Sequence, residues 1–267
     1  MSGAIGILDS GVGGLTVFKE AMRQLPNESL IYIGDNARCP YGPREASQIL
    51  EFTEELAQFL LSQGIKVLVI ACNTATAVAL TYLQDHMPIP VLGVIKPGAL
   101  AANKYSQTGR IGLIATEGTV KSGYYERILY KKNPNLQVTA LACPNFVSLV
   151  ESHDYKSPLA KKLVHQQLQG MRRAKVDTLI LGCTHFPLLA PIIQKTMGSG
   201  VGLIDSGKET VADLASILDY EDLTAEEAQR PQYHFYTTGS TELFDEIASE
   251  WLGRNVSSKH IDIAEKG

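Results

Sequence analysis

Residues 67–80, VLVIACNTATAVAL, and residues 178–191, TLILGCTHFPLLAP, follow one plan: an aliphatic run, a small residue, a cysteine, a polar residue, then a helical pattern. Continuous Val, Leu and Ile runs of this kind suit a parallel strand covered on both faces, because neither side of it meets water. Outward from the strand over 66–70, an amphipathic helix over 45–63 comes before, with Ile49, Phe52, Leu56, Phe59 and Leu60 on one face and Gly64 as its stop. A helix over 74–83 comes after. The same patterns predict strands over 4–8, 29–33, 110–115, 137–142, 178–181, 202–204, 233–236 and 256–260. They predict helices over 15–25, 119–130, 159–170, 188–197, 209–218 and 242–252. This alternation implies an α/β fold with mainly parallel sheets. A second echo joins GILDSGVGG at 6–14 to IGLIATEGT at 111–119: a strand, then hydroxyl and glycine residues, then a helix. Two pseudo-symmetric α/β halves would produce both echoes.

Composition narrows the function. The chain has 267 residues, 45% of them hydrophobic, enough for one large core or two smaller ones. With 24 Lys and Arg against 28 Asp and Glu, the net charge is -4. Repulsion from a polyanion argues against a general nucleic-acid binder. No apolar run reaches about 18 residues, so no membrane span is expected; the richest, 67–83, is broken by Asn73, Thr74 and Thr76. The start, MSGAIGILDSGVGG, has no basic region before its strand pattern, so no signal peptide is expected and the protein reads as cytoplasmic. Cys39, Cys72, Cys143 and Cys183 form no C-x-x-C pair, which predicts free thiols and neither a zinc ribbon nor a redox motif.

The residues suited to chemistry collect where strands end. In open parallel sheets, ligands bind beyond the carboxyl ends of the strands. There stand Asp9-Ser10-Gly11, Cys72-Asn73-Thr74, the stretch from Thr116 to Thr119, and Cys183-Thr184-His185. A single cysteine in such a place is most simply a small buried side chain. Two, each between a buried strand and a helix N-terminus that favours thiolate, suggest a working pair. Inverting a stereocentre needs a base on one face and an acid on the other, and two like residues can exchange those roles. Asp9 and His185 are candidate partners for the thiols. Asn73, Thr74 and Thr184 lie at helix starts, where N–H groups and hydroxyls can cradle a carboxylate. The turn-prone loop Pro40-Tyr41-Gly42 offers N–H groups to a second one. Gly11-Val12-Gly13-Gly14 does not complete a dinucleotide fingerprint, because Thr16 occupies the third glycine's place. Lys96 lacks the phosphate cup that a pyridoxal phosphate site requires and reads as an exposed loop lysine.

The segments GILDSGVGGLTV, DNARCPYGPRE, ACNTATA and LGCTHFPLL resemble the signature segments of bacterial glutamate racemases, in order, from about residue 5 to 206. The resemblance implies two pseudo-symmetric α/β domains with the active site in the cleft between them. Residues 1–95 with 207–267 would form the first domain and 96–206 the second. It implies interconversion of L- and D-glutamate without cofactor or metal, supplying D-glutamate for peptidoglycan, by a cytoplasmic homodimer. Carried over, Cys72 is similar to the base acting on the D-enantiomer and Cys183 to that acting on the L-enantiomer. Asp9 with Ser10, Tyr41 with Gly42, Asn73 with Thr74, and Thr184 with His185 match the substrate-binding pairs. Thr116 and Thr119 lie where the family has substrate-contacting threonines. Glu151 matches an acid that supports the histidine, with His153 and Asp154 as rivals. Cys39 lies inside a motif with no evident role.

Three other readings compete. A racemase for aspartate would use the same chemistry in a pocket of different depth. A two-domain amino-acid binder would hold the ligand without exchanging its α-proton. A thiol redox protein would join Cys72 to Cys183.

Overall fold

The computed structural model describes residues 3–152, 155–225 and 230–263, so the rivals His153 and Asp154 lie outside the described residues. The first half is built from β1 (Ala4–Asp9), α1 (Leu15–Gln24), β2 (Leu30–Gly34), α2 (Ala46–Ser62), β3 (Ile65–Ile70), α3 (Asn73–His86) and β4 (Val91–Gly93). Helix α4 (Ile95–Tyr105) then carries the chain away. The second half holds β5 (Arg110–Ala115), α5 (Glu117–Ser122), α6 (Tyr124–Lys132), β6 (Gln137–Ala142), α7 (Asn145–Glu151), α8 (Pro158–Gln167) and α9 (Gln169–Arg173). It continues with β7 (Thr178–Gly182), a 3₁₀ turn (Phe186–Leu189), α10 (Ala190–Met197) and β8 (Gly202–Asp205). Helix α11 (Ser206–Tyr220) returns the chain to β9 (Tyr233–Thr237), α12 (Thr241–Leu252) and β10 (Ser258–His260).

The strands form two parallel sheets, ordered β10-β9-β2-β1-β3-β4 and β6-β5-β7-β8. Within each, the winding is the same: β2-β1-β3-β4 corresponds strand for strand to β6-β5-β7-β8. The expected pseudo-symmetric α/β architecture is therefore present. β3 is buried at every position, as its unbroken aliphatic run requires. One hydrophobic cluster runs across both sheets, from Ile7 and Val69 through Leu181 to Leu214 and Trp251. Two smaller clusters join the first sheet to α2 and α3 and the second sheet to α4 and α6. Among the described residues, no helix is long and apolar enough to cross a membrane.

Several elements depart from the sequence reading. β4, α4 and α7 were not expected. α4 carries Pro97 and Gly98, yet Pro97 sits in the first turn, where a missing N–H leaves no helical bond unmade. Gly98 lets the start of α11 approach: a Cβ there would stand 2.5 Å from Ser206 Oγ. Lys96, expected in a loop, is exposed on this helix. The single helix expected over 119–130 is two, parted by Gly123 at φ +60, a left-handed conformation that stops one helix and starts the next. The helix expected over 159–170 is likewise α8 followed by α9.

Candidate active site

In each sheet the strand order reverses between the first strand and the third, that is β1 and β3, and β5 and β7. Beyond the carboxyl ends of such a pair a crevice opens. Asp9 ends β1 and Cys72 follows β3; Thr116 follows β5 and Cys183 follows β7. The two crevices face each other. Ser10, Pro40, Tyr41, Gly42, Cys72, Asn73 and Thr74 line one cavity together with Thr116, Cys183, Thr184 and His185. Its volume is about 340 Å³, part of it continuous with solvent. A roomier hollow bounded by Lys104, Tyr105 and Asp177 holds neither thiol, so size does not mark the chemistry.

The two sulfurs are alike in position and unlike in surroundings. Cys72 caps α3, its Sγ accepting the Ala75 N–H at 3.4 Å. Burial, reinforced by the charge of Asp9, pushes this thiol up to about 12 against the opposing pull of the Ala75 N–H and the Ser10 hydroxyl. Cys183 Sγ lies 3.8 Å from His185 Nδ1, and His185 Nε2 lies 3.1 Å from Glu151 Oε1. Burial alone would lower the His185 pKa, but its bonds to Cys183 and Glu151 prevail and raise it to about 10. Burial pulls Glu151 upward, but the histidine outweighs it and holds the carboxyl below its ordinary value. A buried imidazolium therefore stands beside Cys183, whereas Cys72 faces a carboxylate.

Other expected residues fall into distinct places. Asp9 is fully buried; its carboxylate accepts N–H bonds from Gly11 and Gly14 at 3.2 and 3.0 Å and the Thr184 hydroxyl at 3.4 Å. Burial raises its pKa. It lies behind the cavity wall and is not among the lining residues. Thr74 Oγ1 lies 2.9 Å from Thr116 Oγ1 and 3.2 Å from Thr119 Oγ1, a cluster of hydroxyls joining the two halves. Of the two threonines from the second half, Thr116 lines the cavity and Thr119 does not. The Tyr41 hydroxyl is bound to Asp35 at 2.5 Å, and Arg38 Nε to the same oxygen at 2.7 Å, which fixes the loop around Gly42. Glu151 lines an adjoining hollow that shares Pro40, Gly42, Thr116 and Val147 with the cavity.

Sequence reading missed Val147, an aliphatic wall residue indistinguishable by pattern from core. It also missed the buried Asp35, although this lies just before the DNARCPYG segment's asparagine. Cys39, without a role in the sequence, lines the cavity and donates to Glu151 Oε1 at 3.7 Å. Cys143 is buried against the core. All four cysteines are free. No group of three or more His, Cys, Asp or Glu able to hold a metal occurs among the described residues.

Two parallel α/β halves that each lend a thiol to one cavity between them define the class of protein. The Asp/Glu/Hydantoin racemase family model matches residues 5–214, and the chain belongs to that family. It is 57% identical over 262 residues to the glutamate racemase of Enterococcus faecalis, covering 97% of this chain and 96% of that protein. The crystal structure of a Bacillus anthracis glutamate racemase superposes with a TM-score of 0.94 at 45% identity, covering 97% of both chains. That of the Francisella tularensis glutamate racemase, in complex with D-glutamate, superposes at 0.91 with 34% identity and 98% coverage of both.

Proposed function

We propose that this protein interconverts L- and D-glutamate without a cofactor, by moving the α-proton between Cys72 and Cys183. The observation that carries the reading is the pair of thiols, one from each half, in one cavity. A substrate Cα held between them has a sulfur on each face, as inversion needs.

The unlike surroundings supply direction. With its pKa near 12, Cys72 is a thiol in the free enzyme and serves as the acid. Cys183, beside the His185 imidazolium, serves as the base toward L-glutamate. For D-glutamate the roles exchange, and the substrate ammonium near Asp9 relieves the negative field that holds the Cys72 proton. Asp9 and Glu151 support the two thiols through this field and through His185. Ser10, Tyr41, Gly42, Asn73, Thr74, Thr116, Thr184 and His185 bind substrate, with Thr119 holding the hydroxyl cluster. The backbone of the Tyr41–Gly42 loop and the start of α3 offer donors to the two carboxylates. The identity to proteins named glutamate racemase favours glutamate over aspartate.

The family resemblance extends the proposal. Residues 1–95 with 207–267 form one domain and 96–206 the other, and the two crossovers act as a hinge that admits substrate and excludes water. The enzyme works as a cytoplasmic homodimer and supplies D-glutamate for peptidoglycan.

Circular dichroism of enantiopure glutamate, incubated with metal-free protein, tests the reaction: the signal decays to zero. Cys72→Ser and Cys183→Ser each lower racemisation by about 10²–10⁴-fold or more. In D₂O, each variant keeps α-proton exchange with one enantiomer only. Near wild-type racemisation by either variant sinks the two-base scheme, and a flat trace from the wild-type protein favours a binder.

A further inference from the structure

Behind the wall of the cavity, a phenol binds the amide of a lining residue. Tyr125, from α6 in the second half, is fully buried. Its hydroxyl donates to Asn73 Oδ1 at 2.7 Å and meets Ser206 Oγ at 2.7 Å. Asn73 opens α3 directly after Cys72 and lines the cavity. Ser206 opens α11, where the chain returns to the first sheet, and its hydroxyl lies 3.5 Å from the carbonyl of Leu181, two residues before Cys183.

The order of protons in this chain follows from chemistry. Asn73 Oδ1 can only accept, so the phenol proton points to it; the one Ser206 proton is then shared between the phenol oxygen at 2.7 Å and the more distant Leu181 carbonyl at 3.5 Å. With Oδ1 so engaged, turning the amide over requires the whole chain to reverse: the phenol proton must swing to Ser206 and the Ser206 proton to the Leu181 carbonyl, whose 3.5 Å separation makes a weaker bond than the 2.7 Å bonds of the chain as it stands. Among the described residues, Asn73 Nδ2 takes no hydrogen-bond partner. A turned amide would aim a carbonyl oxygen at a substrate carboxylate, which repels where a donor is needed.

We propose that Tyr125 is a positioning residue, whose buried hydroxyl fixes the Asn73 amide so that Nδ2 donates to a carboxylate of the amino-acid substrate. The inference rests on the racemase reading of the cavity. It assigns to a residue that never touches substrate the task of setting one donor's direction. It also makes that donor's aim depend on the seating of the second half against the first.

Tyr125→Phe keeps the ring and removes only the hydroxyl. We expect kcat/KM to fall about tenfold to a hundredfold in both directions, mostly through KM. Ser206→Ala removes a buried hydroxyl from the same chain but leaves the Tyr125–Asn73 bond, and should keep kcat/KM within about threefold of wild type. The decisive comparison is the cycle with Asn73→Ala: once the amide is gone, adding Tyr125→Phe should cost little more. An equal loss in both backgrounds, or equal losses from Tyr125→Phe and Ser206→Ala, overturns the proposal in favour of a merely structural hydroxyl. Wild-type kinetics from Tyr125→Phe overturns it as well. Wild-type kinetics from Asn73→Ala overturns both this inference and the assignment of Asn73 to substrate, while leaving the cysteine test above untouched. A measurement on wild-type protein guards against a variant that does not fold. The Asn73 side-chain ¹⁵N signal, assigned by its loss in Asn73→Ala, should shift on saturation with D-glutamate, and an unmoved signal overturns the proposal.

Discussion

Cys72 and Cys183 occupy equivalent places in two equivalent windings, and their neighbours make them chemically distinct. The His185–Glu151 pair is the clearest difference, since among the described residues no histidine–carboxylate pair stands beside Cys72. It also leaves a trace in stability. His185 titrates near 10 in the folded protein against 6.5 for an ordinary histidine, so the fold binds its proton more tightly than the unfolded chain does. The resulting stabilisation is complete below about pH 6.5 and is lost as pH rises through about 10. Glu151→Gln removes one of the two bonds that raise this pKa. The variant should therefore lose less stability than wild type between pH 6.5 and 10, as read by urea denaturation across that range. Parallel pH profiles for the two proteins would show that the carboxylate does not hold the imidazolium.

At the scale of elements, the site depends on two loops that pass within van der Waals distance. The glycine loop before α1 lies against the turn after β7. A Cβ on Gly13 would stand 2.3 Å from Thr184 Oγ1 and 2.5 Å from His185 Nδ1, closer than atoms can sit. The G-x-G-G pattern that resembles a nucleotide loop thus serves packing between halves. Thr16 strengthens the junction, its hydroxyl donating to the Gly13 and Thr184 carbonyls at 2.9 and 3.0 Å. Gly13→Ala should destabilise the protein by about 1–3 kcal/mol and lower kcat/KM by displacing Thr184 and His185. Urea denaturation and steady-state kinetics check both effects, and unchanged values would mean that the loops stand apart in solution.

For the whole molecule, the main hydrophobic cluster takes residues from both sheets, from α11 and from α12. Residues of both halves also line the cavity, so a ligand there contacts both at once. Binding to the folded state alone stabilises by about 2.7 kcal/mol at a hundredfold excess over Kd. For a protein of this size that raises Tm by roughly 5–10 °C. We expect saturating D-glutamate to move a single calorimetric transition upward. A shift confined to part of a split transition would show that the halves unfold separately and that glutamate binds only one.

The sequence by itself determined the βα alternation, because aliphatic runs and 3.6-residue periodicity are local properties of the chain. It also marked Cys72 and Cys183, since a cysteine between a buried strand and a helix start is readable twice over. Short or broken elements escaped it: α7 spans only seven residues, and α4 contains a proline and a glycine that local rules count against a helix. Only the tertiary structure decided that both thiols face one cavity, that Asp9 sits behind the wall, that Cys39 meets Glu151, and that Tyr125 reaches Asn73. These relations join residues up to 175 positions apart, as with Thr184 and Asp9. They depend on how two sheets pack, and no local pattern encodes the distance between side chains that meet only after the chain has crossed from one sheet to the other.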